Sequence, residues 1–347
     1  MIQHPHSASR LELRDTLGRP LEDLRISVID RCNFRCSFCM PAGHSYTFLP
    51  KSEILTFEEI ARLARVFAAL GVRKLRLTGG EPLLRAQIET LIEMLHAIEG
   101  IEDLALTTNG LLLADRAAAL RAAGLRRLTV SVPSLDSEVF ARLSGLRHRV
   151  EDVLAGIDAA VAAGFGPLKI NVVVIKGVNE REVPSIARYF KERGHIVRFI
   201  EYMDVGTLNG WDPERVVSAR EILERIGREL PIEPAGRARA SDVADRFRYL
   251  DDGVELGTIA SITEPFCGDC ARARLTAEGR LYTCLFAARG HDLKGPLRAG
   301  ADDRELRSRI AATWRGRADR YSEDRARALE AGHRGPAPRV EMYRIGG

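Results

Sequence analysis

No run of this sequence approaches the ~18 consecutive apolar residues that a membrane-spanning helix needs. Residues 1–10 carry no apolar core of a secretory leader. A cytoplasmic protein with no membrane partner is therefore expected. Aromatic residues are few, 6% of the chain, with little interleaving among basic residues and no recognition-helix signature, which argues against a nucleic-acid partner. Neither sign of charge dominates: 52 Lys and Arg against 48 Asp and Glu leave a formal net charge of +4, too mild to imply a polyanion by itself. There is no long low-complexity stretch, and no internal repeat beyond a strand–helix unit. Cysteine is scarce too, with six in all. In a reducing compartment clustered cysteines read as metal or redox ligands, not as disulfides.

What the chain does have is enough apolar residue, 45% of 347, for one large α/β domain or two modest ones. Strand-like runs at 24–30, 73–78, 104–108, 125–132, 168–175 and 197–203 alternate with helical stretches at 57–70, 85–99, 115–123, 150–163 and 182–193. Several of these helical stretches are followed by glycine, at Gly71, Gly100, Gly124, Gly164 and Gly194, the usual residue just past a helix. Six strands with helical crossovers imply a parallel sheet, open or curled into a partial barrel, with its site at the C-terminal strand ends. Beyond about Asn209 the pattern changes. A helix at 218–228, a loop at 231–240, short strands at 246–250, 254–261, 273–276 and 280–282, and a polar helix at 302–318 read as a second region.

All six cysteines fall into two sets of three: Cys32-x3-Cys36-x2-Cys39 just after the first strand, and Cys267-x2-Cys270-x13-Cys284 near the end. Structural zinc and electron-transfer iron–sulfur clusters usually take four ligands. Three thiolates on a cubane leave one iron open to a small molecule. Zinc sites completed by His44 and His291 are the alternative. One strand later, Thr78-Gly79-Gly80-Glu81-Pro82 places glycines where backbone can approach a ligand closely.

The strands also carry cations. Read with period two, Lys74, Arg76 and Thr78 share one face of the second strand, Arg25 and Ser27 one face of the first, and Lys169 and Asn171 one face of the fifth; Arg198 sits in the sixth. Arg272 and Arg274 alternate in the same way beside the second cysteine set. Buried strand cations are costly unless paired or bound to an anion, and Arg forks match phosphate oxygens. A polyanionic ligand such as a triphosphate is the expectation.

The octapeptide Cys32-Asn33-Phe34-Arg35-Cys36-Ser37-Phe38-Cys39 resembles the signature of radical S-adenosylmethionine (SAM) enzymes. Further stretches extend the match over nearly the whole chain. They are Gly18-Arg19-Pro20-Leu21, Arg76-Leu77-Thr78-Gly79-Gly80-Glu81-Pro82, Leu106-Thr107-Thr108-Asn109-Gly110, Arg198-Phe199-Ile200-Glu201-Tyr202-Met203-Asp204, Phe266-Cys267-x2-Cys270-x-Arg272-x-Arg274 and Ile345-Gly346-Gly347. Together they resemble the GTP 3′,8-cyclase, or molybdenum cofactor biosynthesis protein A, family. The resemblance implies an N-terminal segment (1–23), a partial (βα)6 TIM-type barrel (24–210) and a C-terminal α+β region (211–347) carrying a second iron–sulfur cluster.

It implies two 4Fe–4S clusters, on Cys32, Cys36 and Cys39 and on Cys267, Cys270 and Cys284. SAM would be held on the first by Phe38, Gly79, Gly80, Glu81, Thr107, Ser131 and Met203. GTP would be held by Arg25, Lys74, Arg76, Thr78, Lys169, Arg198, Arg272 and Arg274, with its guanine on the second cluster. Gly346 and Gly347 would reach into the active site. A deoxyadenosyl radical would remove the ribose 3′ hydrogen, and the C3′ radical would attack C8 to give 3′,8-cyclo-7,8-dihydro-GTP, the first step of molybdenum cofactor synthesis. The implied partners are GTP, a downstream cyclic pyranopterin monophosphate synthase, an unnamed electron donor and a second copy of the chain as a homodimer. The chain departs from the common pattern at Ile29, Phe38, Thr129, Pro133 and Ala271, and Pro133 removes a carboxylate just past Ser131. The competing readings are a radical SAM peptide-modifying enzyme with an auxiliary cluster and a zinc-stabilised nucleic-acid-binding protein.

Overall fold

A computed structural model describes residues 12–145, 148–330 and 339–346. The first half alternates strand and helix: β1 (Asp23–Ser27), α1 (Phe57–Ala69), β2 (Lys74–Thr78), α2 (Ile88–His96), β3 (Asp103–Thr108), α3 (Leu113–Ala122), β4 (Arg127–Ser131), α4 (Ser137–Ser144), α5 (Val150–Ala162), β5 (Lys169–Val174), α6 (Val183–Lys191) and β6 (Ile196–Glu201). The rest holds α7 (Ala219–Gly227), β7 (Ile232–Pro234), β8 (Asp245–Tyr249), β9 (Glu255–Ile259), β10 (Arg272–Leu275), β11 (Arg280–Tyr282), β12 (His291–Asp292), α8 (Lys294–Arg298), α9 (Asp303–Arg315), α10 (Tyr321–Glu330) and α11 (Met342–Ile345).

Local chemistry explains these elements. Helix α1 starts where the Thr56 side chain accepts from the Glu59 amide and the Glu59 side chain accepts from the Thr56 amide, a reciprocal cap whose loss costs about 1 kcal/mol. It buries Ile60, Leu63, Ala64 and Phe67, one stripe at helical spacing. After α3 the chain turns back at Gly124, with φ +97°, where a Cβ would collide with the His96 ring. Helix α4 was not expected from the sequence, although Asp136 caps it by accepting from the amides of Glu138 and Val139. Its 8 residues are too few for a clear periodic stripe. The expected loop at 231–240 opens with β7, and α10 is a further helix that the sequence did not suggest.

β1 to β6 run parallel in order, forming the partial barrel. The later strands do not make a separate layer. β10 pairs parallel with β1 at one edge, and β9 pairs parallel with β6 at the other. The 12-stranded order is β12-β11-β10-β1-β2-β3-β4-β5-β6-β9-β8-β7. Alternate residues such as Leu24, Ile26, Leu75, Leu77, Leu104, Leu106, Val130, Ile170 and Val172 enter the main core. The other alternation leaves Arg25, Arg76, Thr129, Ser131 and Asn171 facing the lumen, where they line a cavity. No described helix is long and apolar enough to cross a membrane.

Candidate active site

The first cysteine loop leaves β1 and is held from two sides. Backbone amides of Gly80 and Glu81 donate to the carbonyls of Ile29 and Arg31, both at 2.8 Å. Only glycine fits there: Gly79 has φ +151°, and a Cβ at either glycine would strike the carbonyl of Ile29 or Arg31. On the other side, amides of Arg35 and Ser37 donate to the carbonyls of Ser144 (2.7 Å) and Leu143 (3.0 Å) at the end of α4. The Glu81 carboxylate is buried and accepts from the amides of Leu83 (3.0 Å) and Asn109 (2.8 Å) and the Thr108 hydroxyl (2.7 Å). Burial raises it to about 7 against those hydrogen bonds. It ties the β2 and β3 loops together. Asn109 also reaches Asn33 Oδ1 at 2.7 Å and stands 3.9 Å from Cys32 Sγ; the sequence reading gave it no role, because an Asn before Gly looks like an ordinary turn.

Burial pushes the Cys32 thiol up to about 11, with the charge of Glu81 adding to it. Cys36 and Cys39 are driven up further by burial and by the neighbouring thiolates. All six cysteines are free thiols. Three crowded, buried thiols are stable as thiolates only with a bound cation. Among the described residues no three His, Cys, Asp or Glu side chains converge closely enough to hold one metal ion. Each cage offers three thiols with no His beside them in the cavity lining, one ligand short of structural zinc and compatible with a 4Fe–4S cluster that keeps one iron open. Neither His44 nor His291 joins the cysteines in the cavity lining.

The second cage has the opposite electrostatics. Burial raises Cys270, but the charges of Arg272 and Arg317 outweigh it and bring the thiol down to about 6. Arg272 Nη2 lies 3.5 Å from Cys270 Sγ. Burial lifts Cys284 to about 12. Between the cages, the β10–β1–β2 register sets Arg274, Arg25 and Arg76 abreast. Burial first, then Arg274, Arg272 and Arg76, pushes the Arg25 guanidinium well below its ordinary value, and its buried Nε has no hydrogen-bond partner among the described residues. Guanidinium does not give up its proton, so this row is an unmet demand for anion. Arg76 meets hydroxyls instead of carboxylates, donating to Thr107 and Thr129, both at 3.0 Å. Thr129, one of the departures from the family pattern, thus keeps a polar role.

Both cages open on one cavity holding about 2200 Å³ of empty space, part of it open to solvent. Its lining includes all six cysteines, and with them Phe38, Gly79, Gly80, Glu81, Thr107, Ser131, Met203, Arg25, Lys74, Arg76, Thr78, Arg198, Arg272 and Arg274. Lys169 is not in that lining. It lines a second cavity at the N-terminal strand ends, which shares Lys74, Arg76 and Arg198 with the first. Burial and the charges of Arg198, Arg127, Arg76 and Lys74 lower its amine to about 6. Phe38 also packs on the apolar group of Leu143, Ile175 and Tyr202. At Pro133, the carbonyl accepts from Asn179 Nδ2 at 2.6 Å, while the Glu182 carboxylate holds Ser134 and the amides of Leu135 and Asp136. These contacts anchor the loop that follows Ser131.

The C-terminal segment enters the same space. Asp204, next to Met203, accepts from Tyr321 (2.5 Å), Arg339 (2.7 Å) and Arg325. Glu341 accepts from the amide and hydroxyl of Thr207 at 2.8 and 2.6 Å. Gly346, at φ +76°, presents its carbonyl to Arg274, and a Cβ there would collide with Thr78. Gly347 lies outside the described residues.

Residues 26–190 match the radical SAM superfamily model and residues 195–323 the Molybdenum Cofactor Synthesis C model. The chain is 51% identical to a GTP 3′,8-cyclase of Acidothermus cellulolyticus, over 96% of this chain and 99% of that one. It is 51% identical to one of Xanthomonas campestris pv. campestris, over 98% of each, and 44% identical to one of Staphylococcus aureus, over 97% of this chain and 99% of that one. Among solved structures, Streptococcus suis SuiB bound to S-adenosylmethionine matches with a TM-score of 0.57 at 16% identity, over 85% of this chain and 68% of that one. That likeness is one of fold.

Proposed function

This chain belongs to the GTP 3′,8-cyclase family of radical SAM proteins, and on that footing we propose that it converts GTP to 3′,8-cyclo-7,8-dihydro-GTP, the first step of molybdenum cofactor synthesis. The observation that carries the reading is the pair of three-cysteine cages opening on one cavity with Arg274, Arg25 and Arg76 abreast on its wall. Cys32, Cys36 and Cys39 would hold one 4Fe–4S cluster, and Cys267, Cys270 and Cys284 the other. Bound there, the first cluster and SAM supply a carbon radical able to take a hydrogen atom from the ribose.

The residues then divide the work. Phe38, Gly79, Gly80, Thr107, Ser131 and Met203 seat SAM, and Glu81 fixes the loop that carries the two glycines. Arg25, Lys74, Arg76, Thr78, Arg198, Arg272 and Arg274 bind GTP, whose negative charge relieves the crowding of the arginine row. Lys169 takes the far end of the triphosphate from the second cavity. Fixing both ends of GTP keeps its ribose still beside SAM, the positioning on which a hydrogen transfer depends. Gly346, whose carbonyl meets Arg274, and Gly347 after it are assigned to the active site by this reading.

The division into an N-terminal segment (1–23), a barrel (24–210) and a cluster-binding region (211–347) belongs to this proposal. So do a cytoplasmic location, a homodimer, an external electron donor and a downstream cyclic pyranopterin monophosphate synthase. The peptide-modifying alternative is not favoured, since full-length identity near 50% is to GTP 3′,8-cyclases. The test is anaerobic incubation of the reconstituted protein with GTP, SAM and a strong reductant. Formation of 5′-deoxyadenosine together with a cyclised nucleotide is expected, and deoxyadenosine without that nucleotide would reject the substrate.

A further inference from the structure

Two arginines beneath the second cage have no part in the chemistry described above. Arg19 precedes β1, and Arg317 follows α9; they are 2% and 4% exposed. Each grips the backbone of a cage cysteine. Arg19 Nη1 donates to the carbonyls of Cys267 and Asp319, both at 2.8 Å. Arg317 Nη1 donates to the carbonyl of Cys270 at 2.6 Å. Both also meet the fully buried carboxylate of Asp15, at 2.5 and 3.4 Å. The pair is locked in place by neighbours: Trp314 Nε1 donates to the Arg19 carbonyl at 3.1 Å, and the Arg317 guanidinium stacks 4.5 Å from the Trp314 ring centroid.

This arrangement exceeds what a loop brace needs. Neutral donors could hold two carbonyls, and burying two guanidiniums for that purpose is expensive. Asp15 supplies one full negative charge between them, and Asp319 stands 3.6 Å from Arg317 Nε, beyond hydrogen-bond reach. Among the described residues Arg19 Nη2, Arg317 Nε and Arg272 Nε are buried N–H groups without a hydrogen-bond partner, Arg317 Nε having only its ion pair with Asp319. All three arginines line the cavity beside Cys267, Cys270 and Cys284. Unpartnered buried donors around a cysteine cage call for an acceptor there, and the sulfur atoms of an iron–sulfur cluster accept hydrogen bonds.

We propose that Arg19 and Arg317 are positioning residues for the second cluster, holding two of its ligands by their carbonyls and raising its reduction potential through charge and N–H···S contact. The proposal rests on the reading that this cage carries a cluster. Hydrogen bonds to sulfur and local positive charge both favour the reduced, more negative state. At the first cage Arg35 Nη1 also donates to a cysteine carbonyl, that of Cys32 at 2.9 Å, but there the charges of Glu81 and Arg35 act in opposite directions on the thiol.

The test uses the full-length chain with Cys32, Cys36 and Cys39 all changed to Ala, reconstituted anaerobically, so that iron and paramagnetic signals report the second cage alone. On this parent, Arg317→Gln, Arg317→Lys and Arg19→Lys are compared by iron content and by a redox titration followed by electron paramagnetic resonance. Arg317→Gln is expected to retain iron and disfavour reduction about tenfold, about 59 mV more negative for one electron. Arg317→Lys, which keeps the charge, should fall between the two. If Arg317→Gln holds no iron while Arg317→Lys holds it with a lowered midpoint, the charge is unchanged and the N–H···S contact is what the shift supports. Unmoved midpoints with iron retained, or loss of iron from every variant, would reduce the arginines to scaffolding and overturn the proposal. A parent that binds no iron would instead remove the cluster reading itself.

Discussion

The two cysteine cages hold the same number of thiols, yet they are built from opposite materials. The first is framed by backbone: glycine-tight amides on one side, the carbonyls that end α4 on the other, and one acid and one base, Glu81 and Arg35, near Cys32. The second is framed by cations, with Arg272 and Arg317 strong enough to pull a buried thiol down to about 6. A frame of balanced charge suits SAM, whose amino and carboxylate groups balance and whose sulfonium leaves a single positive charge. A cationic frame suits a nucleotide that brings several negative charges. The contrast in frame separates the two ligands before any contact with them is considered.

The contrast can be broken most decisively at the cysteines. Cys36→Ala should abolish both deoxyadenosine and cyclised product, whereas Cys270→Ala should abolish the nucleotide product while SAM still binds. Chromatography of the products and a SAM-binding titration read the two cages apart, and equal effects on both would erase the distinction. Next in size is thiol chemistry in the metal-free protein. At pH 7 Cys270, near 6, is mostly thiolate, while Cys32 near 11 and Cys284 near 12 are protonated. Iodoacetamide should label Cys270 faster by on the order of a hundredfold, the lower nucleophilicity of an acidic thiol offsetting part of the ionisation gain. Acidifying below pH 6 should slow the labelling of Cys270 itself, and raising the pH towards 11 should shrink its advantage over Cys32. Peptide mass mapping over a time course gives the answer.

Arg25→Ala should weaken GTP binding by about 10- to 100-fold, as expected for a charge-assisted contact, and leave SAM binding nearly unchanged; calorimetry on each ligand distinguishes them. The pH dependence of GTP binding is a further check. Lys169 is lowered to about 6 in the free protein, so a phosphate that binds its charged form must bring a proton with it. Affinity should therefore rise as pH falls from 8 towards 6, by up to about tenfold per unit, and the slope should flatten in Lys169→Met. Smallest is Thr129→Val, which removes one of two hydroxyls on Arg76. A roughly fivefold rise in the KM for GTP with kcat unchanged is expected; a fall in kcat instead would move Thr129 from substrate binding to the reaction.

Much of the site could be read from the sequence because its signals are local. Cys32, Cys36 and Cys39 fall within one turn of chain, Gly79 and Gly80 sit together, and period two along a strand placed Arg25 and Arg76 on one face. What escaped depends on pairings distant in sequence. Lys169 obeys the same period, but the lumen divides into two cavities, and only the strand register reveals which one it enters. Arg19 was visible in a motif and Arg317 looked like a polar helix end; neither could be linked to Cys267 or Cys270 without the fold. Asp204 was likewise a motif letter until Tyr321, Arg325 and Arg339 gathered on it. Helix α4 was too short to announce itself, although its last carbonyls hold the first cysteine loop.

The edge pairing of β10 on β1 has a bearing on how the protein comes into being. What frames Cys32, Cys36 and Cys39 comes mostly from residues before about 145, with Phe38 packing further on Ile175 and Tyr202. The contact that seats Cys267 against Arg19 spans 248 residues. A chain emerging from the ribosome N-terminus first has its earlier cage ready while the later one is still unmade, and long-range strand pairing is the slower event. The row of Arg274, Arg25 and Arg76 is therefore complete only once β10 has paired with β1.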